Sequence, residues 1–440
     1  MLIILTRKII FGVSKVKSNQ VDLKIQFLLN KQLLINQDEC SFEIVESIPE
    51  GLVYPPDAKK FKSTFETWDN LIKLAEHTIE IGSFYWSMRT DEKFPSQSSE
   101  GDKVFKDLLN AGLNRNITIK IAESLPTKAF SSGDTNYLML KKAATVKYLD
   151  FDKLIGSGVL HTKFWIVDRK HFYVGSANLD WRALTQVKEL GIAFYNCSSV
   201  ADDLGKIFDV YWTVGNETSL PSKWSDDLST SYNSKNPFIL PLNERKTSLY
   251  ISSSPPQFSP TGRNDDLAGL LQIIKDAKKF IHISVMEYLP LIVFSKHLKY
   301  WPDIDDALRT AVVNRNVKVR LLISQWNHTK PMSYNFLRSL LSVNKFKKNA
   351  VLEVKMFNVP SDSTQSKIPF ARVNHNKYMV TDNGAFIGTS NWSGDYFLTT
   401  AGVSIVAPYN NETENVIQEQ LKHVFERDWN STYAVPLKFE

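Results

Sequence analysis

The sequence predicts an α/β protein of two duplicated lobes. Each lobe is a mixed β-sheet flanked by helices, and the two are related by a pseudo-two-fold axis with the functional site at their interface. Three observations carry this. Strand-like and helix-like segments alternate along the chain, one set of segments is written twice about 200 residues apart, and a short polar motif recurs inside that repeat.

The repeat sets the elements in order. HTIEIGSFYW (77–86) is a β-branched run ending in aromatics, echoed by KFIHISVMEYL (279–289). NRNITIK (114–120) follows a helical pattern over 103–112, and NRNVKVR (314–320) follows another over 304–313. HTKFWIVD (161–168) returns as HNKYMVTD (375–382), and YVGSANLDW (173–181) as FIGTSNWSG (386–394). Residues 218–262 are rich in Ser, Pro and Asn, with SSSPPQFSPTG (252–262) as the sharpest break, and read as a connector. Lobe one is then 41–217 and lobe two 263–440, with 1–40 an N-terminal segment of unclear role.

Composition bounds the rest. At 440 residues, 43% hydrophobic and 23% charged, the chain is globular rather than disordered. A net charge of +6 permits a polyanionic partner without demanding one. Cys40 and Cys197 are too few for a disulfide framework or a CxxC zinc site, and stand as two thiols or one bridge. Sequons at Asn116, Asn196, Asn216, Asn327, Asn411 and Asn430 are compatible with glycosylation in a lumenal compartment. The opening MLIILTRKIIFGV is too short to span a bilayer and lacks the order of a signal peptide.

The doubled motif is His-x-Lys-x4-Asp followed by Gly-[Ser/Thr]-x-Asn. It places His161, Lys163, Asp168, Gly175, Ser176 and Asn178 in one lobe, and His375, Lys377, Asp382, Gly388, Thr389 and Asn391 in the other. A lone histidine in an apolar strand is usually a satisfied core residue; two copies with the same flanks are not explained that way. The residue types suit a phosphodiester. Lys163 and Lys377 supply positive charge, Asn178, Asn391, Ser176 and Thr389 supply hydrogen bonds to phosphate oxygens, and the glycines let the backbone turn tightly. Paired imidazoles supply a nucleophile and a general acid. Asp168 and Asp382 belong to the catalytic motif but lie an odd number of strand residues from the histidines, facing away as orienting groups. Lysines make a poor cation site, so no metal or other cofactor is expected.

The doubled motif resembles the phospholipase D superfamily. VESIPEGL (45–52), SFYW (83–86), GSANLDWRALTQVKELG (175–191), MEYLP (286–290) and GTSNWSGDYF (388–397) extend the resemblance over about residues 40–434, toward the animal phospholipase D members three and four. The resemblance implies a 5′-to-3′ exonuclease on single-stranded DNA or RNA in the endolysosomal lumen. It would work through a covalent phosphohistidine and release 3′-phosphorylated nucleotides. Glu189 stands where relatives place an acid that holds the nucleophilic imidazole. Aligning KELG (188–191) with TTAG (399–402) puts Thr400 at the matching place in lobe two. His161 is therefore expected as nucleophile, held by Glu189, and His375 as general acid. Tyr85, Trp86, Tyr288 and Trp392 are candidates for stacking nucleobases. The resemblance also implies a Cys40–Cys197 disulfide. The alternative is a phospholipase or transphosphatidylase acting on phospholipid head groups, for which LPLIVF (289–294) would be the membrane-facing loop. A homodimer is compatible with the sequence but not required by it.

Overall fold

A computed structural model describes residues 40–440 other than 129, 243–244, 296, 347–348, 410–412, 414–415 and 439–440. Residues 1–39 and the Asn411 sequon lie outside the described residues. Lobe one holds β1 (Ser41–Ser47), β2 (Thr78–Ser83), β3 (Thr118–Ser124), β4 (Thr145–Leu149), β5 (Phe164–Val167), β6 (His171–Gly175) and β7 (Glu189–Tyr195). They lie side by side in the order β1-β7-β6-β5-β2-β3-β4, with the short strand Lys62–Ser63 beyond β1. The first four contacts in that row are antiparallel and the last two, β2·β3 and β3·β4, parallel.

Lobe two repeats the arrangement with β8 (Arg245–Ser254), β9 (Phe280–Val285), β10 (Lys318–Ser324), β11 (Leu352–Phe357), β12 (Lys377–Thr381), β13 (Gly384–Gly388) and β14 (Gly402–Pro408). The order is β8-β14-β13-β12-β9-β10-β11, extended by Phe238–Leu242 at one edge and Ala434–Pro436 at the other. Helices α1 (Thr64–Leu74), α2 (Ser99–Asn114), α3 (Gly133–Leu140) and α4 (Ser198–Val214) flank the first sheet. Helices α5 (Asp266–Asp276), α6 (Asp303–Arg315), α7 (Pro331–Leu341) and α8 (Val416–Trp429) flank the second.

The strands that carry the motifs are apolar on both faces because each lies between two helical layers. Trp165 of β5 stacks on Trp68 of α1, with ring centroids 5.2 Å apart, while Phe164 on the opposite face meets Tyr211 of α4 at 6.2 Å. Helix α1 starts at a reciprocal capping box between Ser63 and Glu66, which fixes where its buried face (Trp68, Leu71, Ile72) begins.

The boundary between the lobes differs from the sequence expectation. Residues 238–242 and 245–254 are not connector: Phe238–Leu242 pairs with β8, β8 pairs with β14 as β1 pairs with β7, and Asn264–Asp265 runs parallel to β8 as Lys62–Ser63 does to β1. Serines disguise this strand. Its buried Ser252 donates to Asp266 Oδ1 at 2.6 Å, and Ser254 to the carbonyls of Tyr396 and Thr400 at 3.0 Å each. The polar atoms are satisfied internally, so the segment is core although it reads as a break.

The lobes interlock through backbone. The Ala401 N–H donates to Val159 O and the His161 N–H to Ala401 O, both at 3.0 Å. The mirrored pair runs from Lys188 N–H to Val373 O at 2.9 Å and from His375 N–H to Lys188 O at 2.8 Å. Beneath them a buried ionic group joins Lys188 to Asp428 at 2.9 Å, and Arg427 bridges Asp428 and Glu46.

Candidate active site

Each motif histidine lies at one of these crossings, on the segment that leads into β5 or β12, and both line one cavity of about 160 Å³. The acceptors settle the tautomers. His161 Nδ1 lies 3.1 Å from the Thr389 carbonyl, which can only accept, so Nδ1 carries the proton. His375 Nδ1 lies 2.9 Å from both carboxylate oxygens of Glu189 and donates there. Both Nε2 atoms are left for chemistry.

Glu189 therefore holds the histidine of the other lobe, not His161 as the sequence suggested. The alignment behind that expectation also shifts. Ser47 pairs with Glu189 where Ser254 pairs with Gly402, and Gly175 pairs with Gly191 where Gly388 pairs with Ser404. The counterpart of Glu189 is thus Gly402, not Thr400. A Cβ at Gly402 would meet Ser390 Oγ at 2.3 Å and Ser254 Oγ at 2.9 Å, so no side chain can reach His161 from there.

The lysines are buried beside the histidines. Lys163 donates to the His161 carbonyl, and Lys377 to the His375 carbonyl at 2.7 Å. An ammonium has three donors, so each retains capacity for an anion. Burial, then the charge of Lys377, pulls Lys163 well below the usual lysine range. Burial pulls Lys377 down to about 7, opposed by Glu189 and Glu287. His161 is depressed strongly, first by burial and then by Lys163, Lys377 and His375. Burial also lowers His375, but the Glu189 carboxylate opposes that fall. Two imidazoles line the cavity and two lysines lie buried beside them, a grouping suited to an anion.

The remaining candidates divide. Asn178 and Asn391 line the cavity, and each has a buried Oδ1 without a partner. Ser176 and Thr389 do not present hydroxyls to it: Ser176 Oγ donates to Glu189 Oε2 at 2.5 Å, and Thr389 Oγ1 accepts from Val403 N–H at 3.0 Å. They brace the site instead. Asp168 accepts from the backbone N–H groups of Glu76, His77 and Thr78 at 2.6–2.9 Å, and Asp382 from those of Lys278, Lys279 and Phe280. Both fasten the start of a neighbouring strand and are structural, not catalytic. Of the proposed stacking residues only Tyr85 lines the cavity, its hydroxyl donating to Asp180 at 2.7 Å. Trp86, Tyr288 and Trp392 are core residues, at most 2% exposed.

The aromatic wall is made of residues the sequence did not single out: Phe84, Phe130, Trp326, Phe370 and Tyr396. Phe84 and Tyr396 flank the His161 ring at 5.1 and 5.0 Å. Phe84 directly follows the β2 strand, a signal that placed attention one residue too far along. Within LPLIVF, Leu289 and Leu291 are buried and only Phe294 stands out, so the segment is core rather than a membrane-facing loop. Cys40 and Cys197 are disulfide-bonded. The sequon asparagines Asn116, Asn216, Asn327 and Asn430 are exposed, and Asn196 is half-buried. No helix among the described residues is long and apolar enough to cross a membrane.

This paired-lobe scaffold with two His-Lys sets defines a phosphodiester-handling class, and comparison with known proteins places it. The family described as PLD3/4, PLD-like domain matches residues 56–362. The 5′-3′ exonuclease PLD3 of Xenopus laevis is 49% identical over 413 residues, covering 93% of this chain and 83% of its own length. Human 5′-3′ exonuclease PLD3 is 44% identical, covering 90% and 81%, and mouse 5′-3′ exonuclease PLD4 is 42% identical, covering 91% and 80%. The chain belongs to the PLD3/4 family of the phospholipase D superfamily. A solved phosphatidylserine synthase from Haemophilus influenzae shares the fold with a TM-score of 0.56 at 12% identity, covering 84% of this chain and 85% of that one.

Proposed function

We propose that this chain is a phosphodiesterase acting as a 5′-to-3′ exonuclease on single-stranded DNA and RNA. The observation that carries the reading is one cavity lined by both imidazoles, with Lys163 and Lys377 buried beside them, in a chain 42–49% identical to 5′-3′ exonucleases. Lys163, Lys377, Asn178 and Asn391 bind the scissile phosphate. His161, kept neutral by burial and two nearby ammonium groups, attacks phosphorus through Nε2. The P–O bond to the 5′-oxygen of the next nucleotide breaks. That oxygen takes its proton from the Nε2–H of His375, whose imidazolium the Glu189 carboxylate stabilises. Water, deprotonated by His375, then displaces His161 and frees a nucleoside 3′-phosphate. His161 remains the nucleophile and His375 the acid, but for a reason opposite to the sequence argument: the carboxylate marks the proton donor.

The Cys40–Cys197 bridge and the exposed sequon asparagines Asn116, Asn216 and Asn430 support an oxidising endolysosomal lumen as the working compartment. Leu289 and Leu291 of the LPLIVF segment are buried, which weakens the feature that would have favoured phospholipid head groups. The test is digestion, in chelator at about pH 5, of a single-stranded oligonucleotide with a free 5′-hydroxyl, beside a 5′-blocked oligonucleotide and phosphatidylcholine vesicles. Release of nucleoside 3′-phosphates from the first alone is expected. Lipid turnover with inert oligonucleotides would overturn the reading.

A further inference from the structure

We infer that lobe two carries a second binding site, an aromatic shelf for the strand downstream of the scissile phosphate, formed by Trp326, His328 and Phe370. The inference rests on the exonuclease reading and extends it.

Displacement at phosphorus is in line, so the leaving oxygen departs on the side opposite His161, where His375 waits. In a 5′-to-3′ digestion that oxygen carries the remainder of the strand. Val373, Phe370 and Trp326 of lobe two line the same cavity as His375. Trp326 is shared with a second, adjoining groove of about 390 Å³ lined also by Asn358, Ser361 and Arg372. The catalytic cavity thus opens onto a path along lobe two.

That path has the chemistry of a single-strand platform. The His328 and Phe370 rings are stacked 4.9 Å apart at 14°, and Trp326 meets His328 at 4.7 Å. Phe370 is 56% exposed, a large apolar ring left in water beside the site. Its backbone has φ +56°, as has Arg372 two residues on. Left-handed geometry is uncommon for a bulky side chain and persists only where neighbours enforce it. Here Arg372 does so: its guanidinium donates to Glu50 O at 2.7 Å, Gln186 Oε1 at 3.1 Å and the Pro360 carbonyl. These bonds fix the base of the loop that displays Phe370. Base stacking on such rings is tolerant of sequence.

The experiment compares kcat/KM on a single-stranded oligonucleotide of about ten nucleotides with kcat/KM on a thymidine 3′-phosphate trifluoroethyl ester. The leaving alcohol of the ester has no ring. His328→Ala and Phe370→Ala should each lose about tenfold more on the oligonucleotide than on the ester, and Phe370→Tyr should restore the ratio. Equal losses on both substrates, or no loss on the oligonucleotide, would overturn the shelf. Inert oligonucleotides with wild-type protein would instead count against the exonuclease reading itself.

Discussion

Lobe one and lobe two have the same seven-strand order, the same His-x-Lys placement and the same aspartate fastening, yet their histidines are held differently. His161 leans on a peptide carbonyl, His375 on a carboxylate. The difference comes from one register position, Glu189 in β7 against Gly402 in β14. A duplicated scaffold can bring two identical groups together; giving them separate tasks takes a change in what stands behind each. A neutral acceptor leaves an imidazole free of charge and able to attack, whereas an anionic one favours the imidazolium and makes it a proton donor.

The comparison breaks most visibly at the histidines themselves. His161→Ala should lose about 10⁴-fold or more in kcat. His375→Ala should lose a similar factor on oligonucleotides but recover with an activated leaving group that needs no proton. Rapid-quench trapping of His375→Ala with such a substrate should find phosphate on His161. Phosphate on His375 in the His161→Ala protein would reverse the roles.

Glu189→Gln gives a smaller and more diagnostic effect, a loss of about 10²-fold in kcat. The carboxylate raises the His375 pKa against the pull of burial, so removing it lowers that pKa further. The acid must be protonated to work. The alkaline limb of the pH–rate profile should therefore move to lower pH. An unmoved limb would mean that Glu189 only braces the fold.

The smallest effect is expected at the other side of the pair. Gly402→Ala pushes a methyl group against Ser390 and Ser254 and should destabilise the fold by about 1–3 kcal/mol in urea titrations. A variant as stable as wild type would show that lobe two has room for the carboxylate it lacks.

Much of this was legible in the sequence because phosphate chemistry restricts residue types: the two histidines, both lysines and both asparagines lie where the repeat put them. The sheet strands were legible where β-branched runs announce them. β8 was not, since its buried serines are satisfied by Asp266 and by backbone carbonyls of neighbouring segments and read as a linker. The partner of Glu189 was hidden for a different reason. A residue's neighbours along one lobe say nothing about which imidazole it meets across the interface, and a two-residue slip in aligning β7 with β14 named the wrong counterpart. The aromatic wall draws Phe84, Phe130, Trp326 and Phe370 from four separate loops, with no spacing to betray it.

The reach of Glu189 across the interface bears on how such a chain could arise. In an assembly of two identical subunits, each histidine would be held by the other subunit's copy of that position, and a mutation there would alter both at once. A single chain that carries both copies can vary the two positions separately, and here Glu189 stands in one lobe and Gly402 in the other. That independence lets His161 and His375 be held differently.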